Sequence, residues 1–459
     1  MEQITKPHCG ARLDRLPDCR WHSSMFAIVA FGLLVCWSNA VGGLILAQLK
    51  ALGWTDNSTT ATFSAITTAG MFLGALVGGI IGDKTGRRNA FILYEAIHIA
   101  SMVVGAFSPN MDFLIACRFV MGVGLGALLV TLFAGFTEYI PGRNRGTWSS
   151  RVSFIGNWSY PLCSLIAMGL TPLISAEWNW RVQLLIPAIL SLIATALAWR
   201  YFPESPRWLE SRGRYQEAEK VMRSIEEGVI RHTGKPLPPV VIADDGKAPQ
   251  AVPYSALLTG VLLKRVILGS CVLIAMNVVQ YTLINWLPTI FMTQGINLKD
   301  SIVLNTMSMF GAPFGIFIAM LVMDKIPRKT MGVGLLILIA VLGYIYSLQT
   351  SMLLITLIGF FLITFVYMYV CYASAVYVPE IWPTEAKLRG SGLANAVGRI
   401  SGIAAPYAVA VLLSSYGVTG LFILLGAVSI IVAIAIATIG IETKGVSVES
   451  LSIDAVANK

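Results

Sequence analysis

The feature that most constrains this chain is a series of apolar runs, each long enough to cross a lipid bilayer. A membrane-spanning helix needs about 20 mostly apolar residues, and we read twelve such runs between Ser24 and Ile441. Apolar residues make up 56% of the 459 residues and charged residues 12%, whereas soluble domains are about 45–50% apolar. The sequence therefore predicts an all-α integral membrane protein with twelve transmembrane helices.

The net charge of +9 reflects basic residues that set the membrane topology, and it does not indicate a nucleic-acid-binding surface. A nucleic-acid site needs basic residues clustered on one soluble face, but here they concentrate in alternate loops. The opposite loops contain only Lys50, Arg181 and Lys299. Because positively charged loops stay in the cytoplasm, we expect both termini there and no nucleic-acid partner.

The cysteines and histidines do not predict a metal centre or a disulfide framework. The seven cysteines are odd in number, and the spacing of His8, Cys9, Cys19 and His22 lacks the short pairs of zinc sites. The tail also lacks a signal-peptide layout, since Ser24 begins a full-length apolar run without a cleavage site. We expect no metal and no cofactor, and a first helix that is retained.

One long polar segment divides the apolar runs into two sets of six. The predicted regions are a cytoplasmic N-tail at 1–23, an N-terminal six-helix bundle at 24–202, a cytoplasmic linker at 203–265, a C-terminal six-helix bundle at 266–441 and a cytoplasmic C-tail at 442–459. Within the linker, Ser205 and Pro206 are typical of a helix start. Mixed charges at helical spacing over 214–231 then predict a short surface helix.

A charged turn occurs once in each half of the chain. Gly82–Arg88 reads Gly-Asp-Lys-Thr-Gly-Arg-Arg, and Met323–Lys329 repeats it in altered form. Asp83 and Asp324 are 241 residues apart, which is about half the chain. Such a repeat indicates a duplicated membrane protein.

Together with other motifs, this turn resembles the major facilitator superfamily, and within it the sugar porters and metabolite:proton symporters. The stretches that carry the resemblance are Gly82–Arg88, Arg118 with its neighbouring glycines, Glu138 with Arg145, Pro203–Leu209 and Pro379–Thr384. The resemblance extends to enteric-bacterial inner-membrane metabolite transport proteins. It implies two pseudo-symmetric six-helix bundles that rock about a substrate site at the membrane midplane.

The resemblance also implies an inner gate made of loop charges. In an outward-open state we expect Asp83, Arg87 and Arg88 to lie against the helix ends and charges of the other half, in ion pairs that break when the inner side opens. Asp324 and Arg328 are the gating candidates of the repeated turn. The matching partners are Glu138 with Arg145 and Glu380 with Arg389, although Lys387 occupies the position where the family has its arginine. Arg399 matches a family arginine near the gate. The alternative for all these residues is ordinary cytoplasmic loop charge.

Arg118 lies inside a predicted span, where charged side chains are costly and usually functional. In proton-coupled relatives the matching arginine pairs with an aspartate in helix 1. The corresponding residue here is Asn39, whose amide cannot titrate. Arg118 could bind an anionic substrate group directly, or form a structural hydrogen bond with Asn39. If a proton is carried, Glu95 and His98 are the candidates, because residues three apart share a helical face. We also expect Glu95 to reach the inner surface.

The seventh predicted helix has a polar face that should line the substrate cavity. It comprises Asn277, Gln280, Tyr281 and Asn285 at spacings of three and four, with Trp286 adjacent. Amides and an indole suit a polyhydroxyl ligand, but the paired glutamines of sugar porters are replaced by Ala275 and Met276. Further candidates, each equally compatible with helix packing, are Asn157, Trp158, Tyr372 and Asn395.

The sequence therefore predicts a secondary transporter for a sugar, polyol or sugar acid, working by alternating access with or without proton coupling. A proton-independent facilitator is the main alternative, and Asn39 favours it. A membrane enzyme lacks support, because no nucleophile–base set, metal spacing or phosphate-binding loop is present. The short tails disfavour a substrate sensor. We expect a monomer in a bacterial inner membrane, with a small-molecule substrate, the bilayer and, in the coupled case, protons as partners.

Overall fold

The computed structural model describes residues 7–17, 20–37, 39–141, 145–240, 253–383 and 386–444. Within these ranges the chain forms α-helices, one π-helix and connecting turns, and it forms no β-strand. The all-α prediction is therefore confirmed.

The helices before the linker include both long single helices and shorter ones in close succession. They are α1 (Cys9–Asp14), α2 (Arg20–Val35), α3 (Gly42–Ala51), α4 (Asn57–Thr85), α5 (Arg87–Ala106), α6 (Met111–Tyr139), α7 (Arg145–Asn157), α8 (Ser159–Leu170) and α9 (Ala176–Tyr201).

The linker and the second half of the chain continue in the same way. The linker helices are α10 (Pro206–Ser211), α11 (Tyr215–Thr233) and α12 (Tyr254–Leu257). The following helices are α13 (Gly260–Thr293), α14 (Leu298–Met309), α15 (Gly311–Val322), α16 (Arg328–Ser347), α17 (Met352–Val370), the π-helix (Cys371–Tyr377), α18 (Val378–Glu380) and α19 (Lys387–Ile439). The helix predicted over 214–231 is present as α11, and Ser205 caps α10 by accepting a hydrogen bond from the Trp208 backbone N–H.

The described residues include nine helical stretches that are long and apolar enough to cross a membrane. Two further predicted spans are divided, one into α2 and α3 and the other into α7 and α8. The final stretch, α19, has non-helical backbone at Gly417, with φ 66°, and so contains two of the predicted spans. The twelve apolar runs all correspond to helices.

Two of the interruptions have a local cause in proline. A proline removes one backbone donor and its ring clashes with the carbonyl four residues earlier. Pro161 is four residues after Asn157, where α7 ends, and Pro313 is four residues after Met309, where α14 ends. The break between α2 and α3 contains no proline.

The contacts divide the chain into two compact units. Unit 1 contains Met1–Asn39, Gly70–Ser159 and Leu184–Gly246, and unit 2 contains Ala40–Ala69, Tyr160–Gln183 and Lys247–Lys459. This division cuts across the predicted region 24–202, because α3, the start of α4 and α8 pack with the second half of the chain, whereas the predicted region 266–441 lies wholly in unit 2. The predicted bundle boundaries remain a prediction.

Small residues explain how α3 joins unit 2. At Gly43, a Cβ atom would lie 2.5 Å from the carbonyl oxygen of Ile284 in α13. Only glycine therefore allows this approach of the two helices. Nearby, the Asn57 amide donates a hydrogen bond of 2.9 Å to the Ser414 hydroxyl.

In unit 1, the N-terminal helix α1 packs against the linker helices. Cys9, Leu13 and Leu16 share an apolar cluster with α11 residues that include Met222 and Val229. The Arg12 guanidinium pairs with Glu219 and Glu226, and Arg15 pairs with Glu226 at 2.6 Å. The predicted N-tail at 1–23 therefore contains an ordered, docked helix.

Candidate transport site and charge networks

The first charged turn builds a network around Arg87 within unit 1. The Arg87 guanidinium bonds to Asp83 at 2.6 Å and to Glu138 at 2.9 Å. The Glu204 carboxylate accepts hydrogen bonds from the backbone N–H groups of Arg87 at 2.7 Å and Arg88 at 3.2 Å. These N–H groups begin α5 and have no partner within that helix. Glu204 therefore caps α5 from the linker.

The second charged turn builds the equivalent network around Arg328 within unit 2. The Arg328 guanidinium bonds to Asp324 at 3.1 Å and to Glu380 at 3.0 and 3.1 Å. The Glu442 carboxylate accepts hydrogen bonds from the backbone N–H groups of Arg328 at 2.8 Å and Lys329 at 3.1 Å. Each half therefore contains an arginine that is bound by two acids. In each half a third acid caps the helix that begins at that arginine.

The partners of Glu138 and Glu380 differ in part from the sequence prediction. Glu380 binds Arg328, where we expected Lys387 or Arg389. Glu138 binds Arg87, and its predicted pair with Arg145 stays a prediction. In both networks the arginine that opens a helix is directed at the end of a helix in its own half. The side chain of Arg145 lies outside the described part of the chain. Lys387 is exposed, and the Arg389 guanidinium lies 5.2 Å from the Tyr254 ring centroid.

Glu204 and Glu442 were not predicted as network residues. Their separation of 238 residues almost equals the 241 that separate Asp83 from Asp324, and this signal could have identified them. Burial alone would raise the pKa of the Glu442 carboxyl, but the backbone N–H groups of Arg328, Lys329 and Lys444 hold it below the ordinary value. Glu442 is therefore an ionised helix cap at neutral pH.

Arg118 is a fully buried residue of α6 in unit 1. One guanidinium nitrogen, Nη1, lies 3.3 Å from the Met121 sulfur. Buried cations in apolar surroundings are costly and usually mark function. Both sequence interpretations, an anion-binding group and a structural partner of Asn39, stay open.

The other unit 1 candidates lie at the two helix interruptions. Asn39 is half-buried between α2 and α3, and Trp158 separates α7 from α8 with 38% of its surface exposed. The side-chain N–H of Asn157 donates a hydrogen bond of 2.7 Å to the Ser153 carbonyl, and the side-chain oxygen of Asn157 takes no part in this bond. Because α2 packs along α7, with Leu33 against Gly156, these interruptions belong to neighbouring helices.

Glu95 and His98 form a buried pair in α5, which corrects one expectation. Neither side chain has exposed surface, so Glu95 does not reach the surface as we expected. Its Oε2 atom lies 3.5 Å from His98 Nδ1. The close packing of α5 on α6 at Gly124 encloses the pair.

In unit 2, polar residues of α13 meet aromatic residues of α8 and α17. The Tyr160 and Tyr367 rings lie 5.4 Å apart in an edge-to-face arrangement, with Gln280 and Tyr281 beside them. Gly402 of α19 approaches both Tyr281 and Thr68. Gln280 and Tyr281 are half-buried. We call Tyr160, Gln280, Tyr281 and Tyr367 the tyrosine–glutamine cluster.

The remaining amides of α13 are more enclosed than predicted. Asn277 and Asn285 are buried, and the Asn277 amide donates to the Leu273 carbonyl at 2.8 Å beside Gly398. A buried polar contact that the sequence did not predict joins the Asn305 amide to the Ser164 hydroxyl at 3.1 Å. The Asn305 oxygen has no hydrogen-bond partner within the described ranges, so it could accept a bond from a ligand.

Trp286 and Tyr372 were predicted to face a cavity, and the structure places both in packed interiors. Trp286 belongs to an apolar cluster with Ala61, Val409 and Leu421. Tyr372 stacks on Tyr377 with 5.0 Å between ring centroids, and its hydroxyl abuts Gly332. Their size and apolar surface are used for packing.

Two candidates on α19 differ in exposure. Asn395 is exposed and its amide donates to the Ser391 carbonyl at 2.9 Å. Arg399 is half-buried, and its Nη1 atom has no hydrogen-bond partner in the described part of the chain. It is therefore a cation with unused donor capacity, one residue after the Gly398 contact with α13.

No group of three metal-ligating side chains occurs among the described residues.

The family model described as Major Facilitator Superfamily matches residues 26–406. The chain is 99% identical over 459 residues, covering all of both chains, to YdjK of Escherichia coli (strain K12). It is 44% identical over 455 residues to the inner membrane metabolite transport protein YdjE of the same strain, covering 98% of this chain and 99% of YdjE.

Among solved structures, the chain resembles the partially occluded inward-open conformation of the xylose transporter XylE from E. coli. The TM-score is 0.73 at 18% identity, over 93% of this chain and 100% of XylE.

Proposed function

The chain belongs to the major facilitator superfamily, and from this premise we propose that the metabolite it transports is a sugar, polyol or sugar acid. As a member of this family it is a multi-pass membrane transporter and not an enzyme. The observation that carries the substrate proposal is the tyrosine–glutamine cluster of unit 2. It offers hydroxyl and amide groups next to aromatic faces, which suits a ligand with many hydroxyl groups and an apolar ring face.

The proposal extends to membrane and orientation. The loops that are rich in Lys and Arg belong on the cytoplasmic side, which places both termini there. The relative YdjE is named as an inner membrane protein, and we assign this chain to the same membrane. The charge networks around Arg87 and Arg328 then lie at its cytoplasmic surface, where we propose that they form the inner gate.

We propose an anionic substrate within this class if Arg118 contacts the ligand. A guanidinium binds a carboxylate with charge-assisted hydrogen bonds, and this would favour sugar acids over neutral sugars. If Arg118 instead forms a structural hydrogen bond with Asn39, sugar acids and neutral sugars should both bind Arg118→Ala protein as well as they bind wild type.

The experiment is a thermal-shift screen of the purified protein with D-xylose, myo-inositol and D-gluconate. A ligand that binds the folded state raises its stability by mass action. We expect one class to raise the unfolding temperature, and Gln280→Ala to weaken its binding about tenfold, equivalent to about 1.4 kcal/mol. Thr293→Ala, at the end of the same helix, is the control and should bind as wild type does.

Uptake of the binding compound into liposomes completes the test. Uptake by wild-type protein that Gln280→Ala reduces supports the proposal. Absence of binding and uptake for all three compounds would overturn the proposed substrate class. Equilibration that is insensitive to an uncoupler would identify the proton-independent facilitator, which the Asn39 amide favours.

A further inference from the structure

Glu95 and His98 of α5 form a buried acid–imidazole pair outside both charge networks. Both side chains are fully buried, and the Glu95 Oε2 atom lies 3.5 Å from His98 Nδ1. The second carboxylate oxygen, Oε1, is buried and has no hydrogen-bond partner within the described ranges. An ionised oxygen without a partner is costly in an apolar interior. The position therefore suits a carboxyl group that can hold a proton.

The helices packed against the pair contribute few other charges. The Cys36 sulfur lies 4.0 Å from His98 Nδ1. Tyr94 of α5 donates a hydrogen bond of 2.9 Å to the Gly78 carbonyl of α4. The part of α4 from Asn57 to Gly82 contains no charged residue.

On α6, the pair faces Gly124, and Arg118 is the one charged residue between Asp112 and Glu138. On α9, which packs on α5 through Leu184 and Trp199, the charged residues are Glu177, Arg181 and Arg200, toward the helix ends. A proton at the pair would therefore change the charge of a fully buried site.

The same pair touches the interruption of the first membrane helix. Cys36 is the first residue after α2, and α3 does not begin until Gly42. Asn39 lies within this segment, and the chain passes from unit 1 to unit 2 between Asn39 and Ala40. Interrupted helices commonly form the substrate and ion sites of transporters. A charge change at His98 is therefore placed next to the residue that follows α2.

We propose that Glu95, bonded to His98, takes up and releases the proton that drives transport, and this rests on the transport function proposed above. The carboxylate gains a proton to form the neutral acid in one state of the cycle. It returns the proton to water in the other state, and no other covalent bond changes. Cys36 conveys the altered electrostatics to the segment that contains Asn39.

The first experiment uses protons alone as the probe. Infrared difference spectra of the full-length protein in liposomes are recorded between low and high pH. We expect a carbonyl band from a protonated buried carboxyl that titrates in wild type, disappears in Glu95→Gln and titrates at a different pH in His98→Gln. Glu177→Gln, at the exposed start of α9, is the control and should retain the band. A titrating band that Glu95→Gln and His98→Gln both leave unchanged would overturn the proposal.

The second experiment measures uptake of D-xylose, myo-inositol or D-gluconate, whichever binds wild type, with and without an imposed pH gradient. We expect Glu95→Gln to lose accumulation driven by the gradient and to retain exchange of labelled for unlabelled compound. Gradient-driven accumulation by Glu95→Gln at the wild-type level defeats the proton site. Failure of wild type to transport any compound defeats the substrate class instead, while the infrared result stands separately.

Discussion

Gly86 shows at the level of one residue why the first charged turn requires glycine. Its φ is 98° and its ψ 159°, a backbone region that costs other residues roughly 1–3 kcal/mol. A Cβ atom would also strike the Glu204 carboxylate, which caps α5. We predict that Gly86→Ala lowers the unfolding temperature more than Gly213→Ala does. Gly213 also has positive φ, at 71°, but no atom near its missing Cβ, so equal shifts would show that the Glu204 contact is unimportant.

Single residues also show what sequence reasoning can reach. Pro161 and Pro313 account for the ends of α7 and α14, because a proline disrupts the bond to the carbonyl four residues earlier. Their positions alone would not have predicted these ends, since Pro187, Pro288 and Pro406 lie inside continuing helices. The partner of Glu138 could not be predicted in the same way, since Arg87 lies 51 residues away in the chain and the sequence does not show which cations the fold brings close. Trp286 was misassigned because adjacency to a polar face does not reveal which direction an indole points.

The helix caps Glu204 and Glu442 act at the level of whole elements. Each acid holds the first backbone N–H groups of a membrane helix, α5 or α16, from a segment more than 100 residues away in sequence. A side chain that caps a helix contributes about 0.5–2 kcal/mol, and a negative charge also interacts favourably with the helix N-terminus. Local sequence cannot predict such caps, because the contact exists only after the linker or the C-terminal segment folds back.

We predict that Glu442→Gln increases hydrogen exchange at the first amides of α16. The pKa of Glu442 is lowered in the folded protein, so its stabilisation is complete above the unfolded pKa of about 4.3. It is lost as the pH falls through the lower folded value. The difference in exchange between wild type and Glu442→Gln should therefore disappear on strong acidification. A difference that persists there would mean that the carboxylate charge is not the cause.

The docked helix α1 gives a second test at this scale. Burial, together with a hydrogen bond with Glu210, raises the pKa of the Cys9 thiol to about 12. Reactive cysteines are exposed thiolates, so Cys9 should resist alkylation while α1 is docked. We predict that Glu226→Gln, which weakens the pairs with Arg12 and Arg15, increases alkylation of Cys9 measured by mass spectrometry. Glu227→Gln changes an exposed neighbour and is the control. Equal labelling of the two variants would show that these pairs do not hold α1.

At the scale of the whole molecule, the duplicated motif predicted from sequence explains both charge networks, whereas the two compact units were not predicted. The unit boundaries depend on close backbone approaches such as Gly43 to α13, which leave no mark in local periodicity. The same approach bears on transport, because alternating access requires that helices on one side of the membrane separate and return. Within unit 2, α3 contacts α13 at Gly43, and α4 contacts α19 through the Asn57–Ser414 hydrogen bond.

We therefore predict that Gly43→Trp favours the conformations in which this contact is open. The indole cannot fit where a single Cβ already lies 2.5 Å from the Ile284 carbonyl oxygen, so the packed arrangement becomes unfavourable. Spin labels at Ser58 and Ser415, the exposed neighbours of Asn57 and Ser414, should report a shift toward longer distances. Gly334→Trp, at a glycine with open space around it, should leave the distances as in wild type. If the Gly43→Trp distances also match wild type, α3 and α13 are not a contact that opens, and the moving surfaces must be sought elsewhere in the protein.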